Sequence, residues 1–303
     1  MRTTHRCGDT PAMPVSLVFG ASGAIGRFLV PRLLSAGHDV LAVSRAPHTA
    51  SHPRLRWIAG DLFADMPPLH DADAIFSVGP LDAFANWLTR YDTNRSPRIV
   101  AIGSQSAATK QASADAEERA LAERLLQAEQ TLARAADARE CAWTVLRPTL
   151  IYGAGLDRTL TPIAHFARRW RVFPYIAHAR GLRQPVHADD LADSCMNVLT
   201  QARTAQRVYA VGGGERLAFG TMFERVRASF PFRTVALPIP FTMARTAASL
   251  AARLPAFRAA SPAAVRRLEE DLIVDHSAAV EDFGWSPRPF HPDATAWTPP
   301  PLA

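Results

Sequence analysis

The sequence predicts an α/β fold, a doubly wound parallel sheet with helices on both faces and a small, mainly helical C-terminal lobe. Three observations carry this. Short apolar runs rich in Val, Ile and Leu recur up to about residue 150 and alternate with stretches of helical periodicity, the pattern of strands joined by helical crossovers. The first run, Val15 to Phe19, leads at once into G-x-x-G-x-x-G at Gly20, Gly23 and Gly26. An apolar stripe of Phe28, Leu29, Val30, Leu33 and Leu34 follows, so strand, tight turn and helix succeed one another. Beyond about residue 155 the alternation loosens and prolines punctuate the chain.

Taken in order, Gly37-His38 stops the first helix, and Asp39 to Val43 is a second strand ending at Ser44-Arg45. Leu55 to Ala59 is a third strand and Ala74 to Val78 a fourth. A helix follows over 81–91 with Trp87 and Leu88 on its apolar side. Arg98 to Gly103 is the fifth strand. Residues 115–137 form a long Ala/Glu/Arg-rich helix with Leu121, Leu125 and Leu132 on one face. Trp143 to Leu146 is the sixth strand and runs into RPTLIYG at 147–153. Farther on, helices cover about 190–201 and 219–229, Val208 to Val211 is a strand, and an Ala-rich helical pair spans about 241–271. The tail after Trp285 is Pro-rich and extended. The reading gives a loose tail over 1–13, a Rossmann-type core over 14–155 and a C-terminal region over 156–303, interleaved with the core in one compact unit.

Composition narrows the function classes. With 303 residues, 48% hydrophobic and 20% charged, the chain can bury a large core. The net charge of +6 comes from arginines scattered among Ala and Leu, with Lys110 the one lysine. No basic block or aromatic-interleaved patch reads as a nucleic-acid surface. Cys7, Cys141 and Cys195 lie far apart without a metal-binding or disulfide spacing, so no metal is expected. The first residues lack a signal-peptide core, and a cytoplasmic location is expected. The longest apolar candidate, 241–257, is interrupted by Arg245 and Arg253, so no membrane span is expected. Peripheral association through the Ala/Leu/Arg helices near 241–270 stands as the membrane alternative.

The glycine turn carries the chemistry. Backbone amides of Gly20, Ser22, Gly23, Ala24, Ile25 and Gly26 at a helix N-terminus suit a pyrophosphate. The tip of the second strand faces the adenosine ribose in such a sheet. An acidic residue there binds the 2′-hydroxyl of NAD, and an Arg accepts the 2′-phosphate of NADP. Ser44 and Arg45 stand at this tip without a carboxylate, which favours NADP over NAD. Asp61 and Leu62 are placed for the adenine, with turn capping as the other reading of Asp61. Val78, Gly79, Ser104 and Pro148 lie at strand tips beside the remainder of the dinucleotide.

These residues resemble the extended, or atypical, short-chain dehydrogenase/reductases, and within them the NAD(P)-dependent epimerase/dehydratase family. GASGAIG at 20–26, GDL at 60–62, LRPTLIYG at 146–153, RQPVHADDLAD at 183–193, YAVGGGERLAF at 209–219 and AAVEDFGWSPRPF at 278–290 match in order and cover about 14–290. The resemblance implies hydride transfer between a nicotinamide and a small carbonyl, alcohol or nucleotide-sugar substrate. It also implies a Tyr base with a Lys four residues later on the long helix, and a Ser holding the substrate hydroxyl. Here Leu121 and Leu125 stand in the Tyr and Lys places. Ser106 matches the substrate-facing serine, and Tyr152 is the tyrosine nearest by topology to replace the missing base. Arg183 is read as a substrate-phosphate ligand or a surface Arg. His187 is read as substrate-facing or as a satisfied histidine, and Asp189 or Asp190 as the cap of the next helix. Three outcomes remain open: a substitute acid/base group, a reductase that takes its proton elsewhere, or a dinucleotide-binding scaffold or redox sensor without turnover. The expected partner is a small molecule, with a homodimer as a possible assembly.

Overall fold

A computed structural model describes residues 13–69, 71–176, 179–243, 246, 265 and 267–303. The expected tail is thus almost wholly outside the described residues, as is most of the Ala-rich stretch near 241–271.

The core is a seven-stranded sheet of β1 (Val15–Phe19), β2 (Asp39–Ser44), β3 (Leu55–Ala59), β4 (Ala74–Ser77), β5 (Arg98–Ile102), β6 (Trp143–Pro148) and β11 (Arg207–Val211). Its order is β3-β2-β1-β4-β5-β6-β11, and every neighbouring pair is parallel. This is the doubly wound sheet expected from the alternation. The order reverses between β1 and β4, the switch point at which such sheets bind ligands. Strands buried on both faces read as continuous apolar runs, and Leu17, Val18, Phe19, Ile75, Phe76, Ile99 and Val100 are all inaccessible.

One face is covered by α1 (Gly26–Ser35) and α6 (Ala188–Thr200), which contact each other, with α8 (Ser277–Phe283) beside them. The other face is covered by α2 (Leu81–Leu88) and α4 (Ala116–Asp137), with the short α3 (Ser106–Thr109) against α4. Helix α4 starts where Asp115 accepts the amides of Glu117 and Glu118, a side-chain cap that satisfies two orphan donors.

The lobe holds α5 (Leu160–Trp170) and α7 (Phe219–Ala228) around a third buried cluster that includes Phe173, Met222 and Phe290. Short strand pairs brace it: β7 (Ile151–Tyr152) with β10 (Val186–His187), β9 (Leu182–Arg183) with β12 (Leu217–Ala218), and β8 (Val172–Ile176) with β13 (Val235–Ile239). The last pair is an addition to the sequence reading, because Pro174, Pro238 and Pro240 make both segments look like loop. Cys141 and Cys195 are buried free thiols. Among the described residues no helix is long and apolar enough to cross a membrane, and no cluster has the makings of a metal site.

Candidate functional site

The glycine turn joins β1 to α1 and closes on the tip of β4. Gly20 has a positive φ of 78°, and a Cβ there would stand 2.9 Å from the Gly79 nitrogen. A Cβ on Gly26 would stand 2.4 Å from the carbonyl oxygens of Gly20 and Ala21. Gly23 differs: a Cβ would meet only the Gly20 carbonyl, at 3.0 Å for the oxygen and 4.0 Å for the carbon. Two glycines therefore let the backbone pack, and the third leaves room for a group to approach. No side chain caps α1 and no acid lies in its first turn, so its dipole favours an anion. The expected Gly23 amide, however, donates to Gly20 O at 2.9 Å, and the Arg27 and Phe28 amides donate to Gly23 O and Ile25 O. This cradle fits a dinucleotide pyrophosphate. Two buried polar atoms at neighbouring strand ends, Ser77 Oγ and Gln105 Oε1, have no partner among the described residues and suit a ligand lying across those tips.

The adenosine end is built from serine and histidine. Ser22 Oγ lies 3.2 Å from Ser44 Oγ, and Ser44 Oγ lies 3.1 Å from His48 Nε2. His48 in turn stands edge-on to Trp57, with centroids 4.6 Å apart. Arg45 is exposed at the strand end. Asp61 uses a carboxylate oxygen to accept the Phe63 amide at 3.0 Å, the capping alternative. Leu62 packs beneath against the α2/α4 side of the sheet. His48 was invisible as a partner in the sequence, since it lies in a loop with no periodicity.

At the tips of β5 and β6, Ser104 Oγ accepts the Ser106 amide at 3.2 Å, and Pro148 O accepts the Gln105 amide at 3.0 Å. Ser104 thus starts α3 with its hydroxyl oxygen and keeps its hydroxyl proton to donate, and Ser106, half-buried, carries its hydroxyl at the helix start. Leu121 and Leu125 are half-buried on α4. One turn after Leu125, buried Glu129 receives Arg147 Nε at 2.8 Å and also pairs with its Nη2. This ion pair ties α4 to β6, and the sequence reading did not single it out.

Tyr152 and His187 sit elsewhere, in a cleft of about 660 Å³ on the α1/α6 side. Phe28, Gly153, Arg288, Asp293 and the chain at 298–300 also line it, and Ser106 is not among its lining residues. Tyr152 is 2% exposed. Its ring meets His187 edge-on at 5.0 Å and Phe290 at 4.7 Å. Burial pushes its phenol well above the usual tyrosine range, with Asp190 adding to the effect. The structure thus gives Tyr152 the surroundings of a packing residue, not of a base that loses its proton near neutrality.

His187 replaces the expected aspartate as the cap of α6. Its Nδ1 accepts the Asp189 amide at 3.1 Å, so Nδ1 is unprotonated there. Burial, with Arg288 nearby, holds the imidazole below the usual histidine range. The two aspartates clamp Arg288 instead: Asp190 accepts its Nε and its amide at 2.7 and 3.0 Å, and Asp189 accepts its Nη2 at 2.7 Å. Asp189 also pairs with Arg32 of α1 at 2.7 Å. The Pro-rich tail returns from this clamp to the glycine turn. Arg27 donates from Nε to Ser22 O at 3.0 Å and from Nη1 to Pro300 O.

Arg183 is buried and committed to backbone. Its Nη1 donates to Leu182 O and Glu270 O at 2.8 and 2.7 Å, and Nη2 to Arg267 O at 2.6 Å. Burial, with Arg267 close by, pushes its guanidinium down to about 10. Beside it a cavity of about 270 Å³ is lined by Lys110, Ser113, Glu118 and Arg267 among others. Glu118 there accepts Ser113 Oγ at 2.7 Å and pairs with Arg267 at 2.8 Å and Lys110 at 3.7 Å.

A family model described as NAD(P)H-binding matches residues 20–161. The chain is 22% identical over 143 residues to the UDP-glucose 4-epimerase of Vibrio cholerae, covering 47% of this chain and 41% of that one. It is 26% identical over 263 residues to the mitochondrial NADH dehydrogenase [ubiquinone] 1 alpha subcomplex subunit 9 of Arabidopsis thaliana, covering 77% and 62%. The chain therefore spans about half the length of the curated relatives it matches. Among solved structures, UDP-glucuronic acid 4-epimerase from Bacillus cereus, in complex with NAD, superposes with a TM-score of 0.68 at 13% identity over 94% of this chain and 97% of that one. Residues 20–161 thus match a model of NAD(P)H-binding domains, and the chain shares the fold of that 4-epimerase.

Proposed function

We propose that the chain binds NADP(H) in the β1–α1 cradle and serves as a reductase-like oxidoreductase on a small carbonyl or nucleotide-sugar substrate without a Tyr–Lys pair. The observation that carries it is the turn itself. Gly20 and Gly26 are closed by backbone, Gly23 is open, and an uncapped helix points at the space beyond. Gly20, Ser22, Gly23, Ala24, Ile25 and Gly26 would hold the pyrophosphate. Ser44 and Arg45 would hold the ribose with its 2′-phosphate, and Asp61, Leu62, Val78, Gly79, Ser104 and Pro148 the flanking groups. A bound nicotinamide supplies or accepts the hydride. Ser106 orients the substrate oxygen by hydrogen bonding. With Leu121 and Leu125 in place of an acid/base pair, no side chain on that face of α4 moves the accompanying proton, which then comes from solvent.

Support for NADP is the absence of a carboxylate at the β2 tip together with exposed Arg45. Titration calorimetry with NADPH and NADH tests it. The wild type should prefer NADPH by roughly 10-fold or more, and Arg45→Asp should remove that preference, as expected for one charge-assisted phosphate contact. A protein that binds neither nucleotide overturns the reading. The second reading, a dinucleotide-binding scaffold without turnover, is favoured by the same two leucines. Tight NADPH binding with no oxidation across a carbonyl panel would select it.

A further inference from the structure

The lobe exposes an apolar sheet face that the dinucleotide site does not use. In the β8–β13 pair, Val172, Pro174 and Ile176 are registered with Val235, Leu237 and Ile239. Side chains alternate across a strand. Phe173 and Tyr175 point inward to the cluster around α5 and α7, which turns all six registered residues outward. Of the six, Val172, Ile176, Val235, Leu237 and Ile239 belong to none of the three buried clusters, and Val172, Pro174, Ile176 and Ile239 are half-buried. Val235 is 69% and Leu237 50% exposed. Met243, four residues past the strand, is exposed as well.

One end of this face is aromatic and cationic. The Val235 amide donates to Arg171 O at 2.8 Å, so both strands begin at the same end. There Trp170 is 60% exposed under Arg169, whose guanidinium lies 4.8 Å from the ring. Arg171 lies 3.8 Å over Phe232, and Arg233 is next in sequence. No carboxylate pairs with Arg169, Arg171 or Arg233 among the described residues. The acid beside this end is Glu224, which lines a cavity with Phe232 and Arg233 and forms no ion pair with Arg233.

We propose that this face docks on an anionic lipid surface. Aliphatic side chains and Phe232 enter the headgroup boundary, Trp170 sits at the level where amphipathic rings settle, and the arginines reach lipid phosphates. Charge favours an anionic surface over a second copy as occupant, because among the described residues no carboxylate pairs with Arg169, Arg171 or Arg233, whereas lipid phosphates supply the missing charge. The surface lies on described residues, not on the Ala-rich stretch considered from sequence.

Co-sedimentation of the full chain with phosphatidylcholine vesicles, with and without phosphatidylglycerol, tests this. Binding should require phosphatidylglycerol and weaken several-fold as salt screens the arginines. Leu237→Asp and, separately, Trp170→Ala should each lower partitioning roughly 10-fold or more, as loss of one inserted side chain implies. Both variants should keep the wild-type melting temperature and NADPH affinity, since both positions are exposed and away from the glycine turn. Three results overturn the proposal. One is a wild type that ignores anionic vesicles. Another is variants that bind them unchanged. The third is a wild-type dimer in solution that Leu237→Asp converts to monomer, which would assign the face to a second copy.

Discussion

Gly153 shows how much one missing methyl group decides. Its φ is +98°, and a Cβ there would stand 2.1 Å from His187 Nε2. The histidine cannot retreat, because its other nitrogen caps α6 and its ring packs on Tyr152 and Phe28. Gly153→Ala should therefore cost about 2–4 kcal/mol, the sum of backbone strain and overpacking. Gly220, in the first turn of α7, has nothing within 4 Å and an ordinary φ; Gly220→Ala should instead stabilise by about 0.5–1 kcal/mol. Chemical denaturation of the two variants checks the contrast, and a pair of equal shifts would refute it. At this scale the sequence was a partial guide. Residue type named Tyr152, His187 and Arg183 as chemistry-bearing. The His187 cap is a local contact with the Asp189 amide. The packing of Tyr152 on His187 and Phe290 and the binding of Arg183 to Glu270 O and Arg267 O involve neighbours far off in sequence, which local pattern does not encode. The glycine turn was legible because its requirement is local backbone geometry.

Elements were readable where one physical signal ruled. Helix α4 has a side-chain cap at Asp115 and a leucine stripe, and it was found to within a residue. The six leading strands are apolar runs bounded by turns, and they too were found. The β8–β13 pair was missed because proline removes ladder donors, and a lone two-stranded ribbon tolerates this at its free edges. What holds the elements together was the least legible. The Arg147–Glu129 pair joins β6 to α4 at residues 18 apart, with Glu129 buried. Arg147→Ala leaves that carboxylate buried without its partner and should cost about 3–5 kcal/mol. Replacing both residues with methionine should recover most of the loss, because the desolvation of both charges then disappears as well. Denaturation midpoints of the single and double variants measure this. A double variant as unstable as the single one would show that the pair itself is needed.

Over the whole molecule, charge links the two halves around α1, α6 and the segment at 288, and this link sets how stability follows pH. His187 is held below the usual histidine value by burial, with Arg288 adding to it, and His38 is lowered by burial too. In the folded chain both stay neutral where the unfolded chain takes up protons. The unfolded state therefore binds more protons just below about pH 6.5, and stability must fall as pH drops through that value. Protonation at Nδ1 would also break the α6 cap. A second decline follows at lower pH. Burial pushes Asp189 upward, but Arg288 and Arg32 outweigh it and hold the carboxyl below its usual value. Asp293 is held down by Thr295, through its hydroxyl first and its amide as well. Stability from these two is complete above about pH 4 and is lost as they protonate. Melting temperature should thus be flat above about pH 7, fall gently to about pH 5 and fall more steeply below about pH 4. His187→Asn supplies an alternative cap without a titrating ring. Whatever its own cost in packing, its decline between about pH 7 and 5.5 should be shallower than that of the wild type. A wild type that gains stability on acidification through this range, or a variant with the same slope, would show that His187 does not carry the upper step.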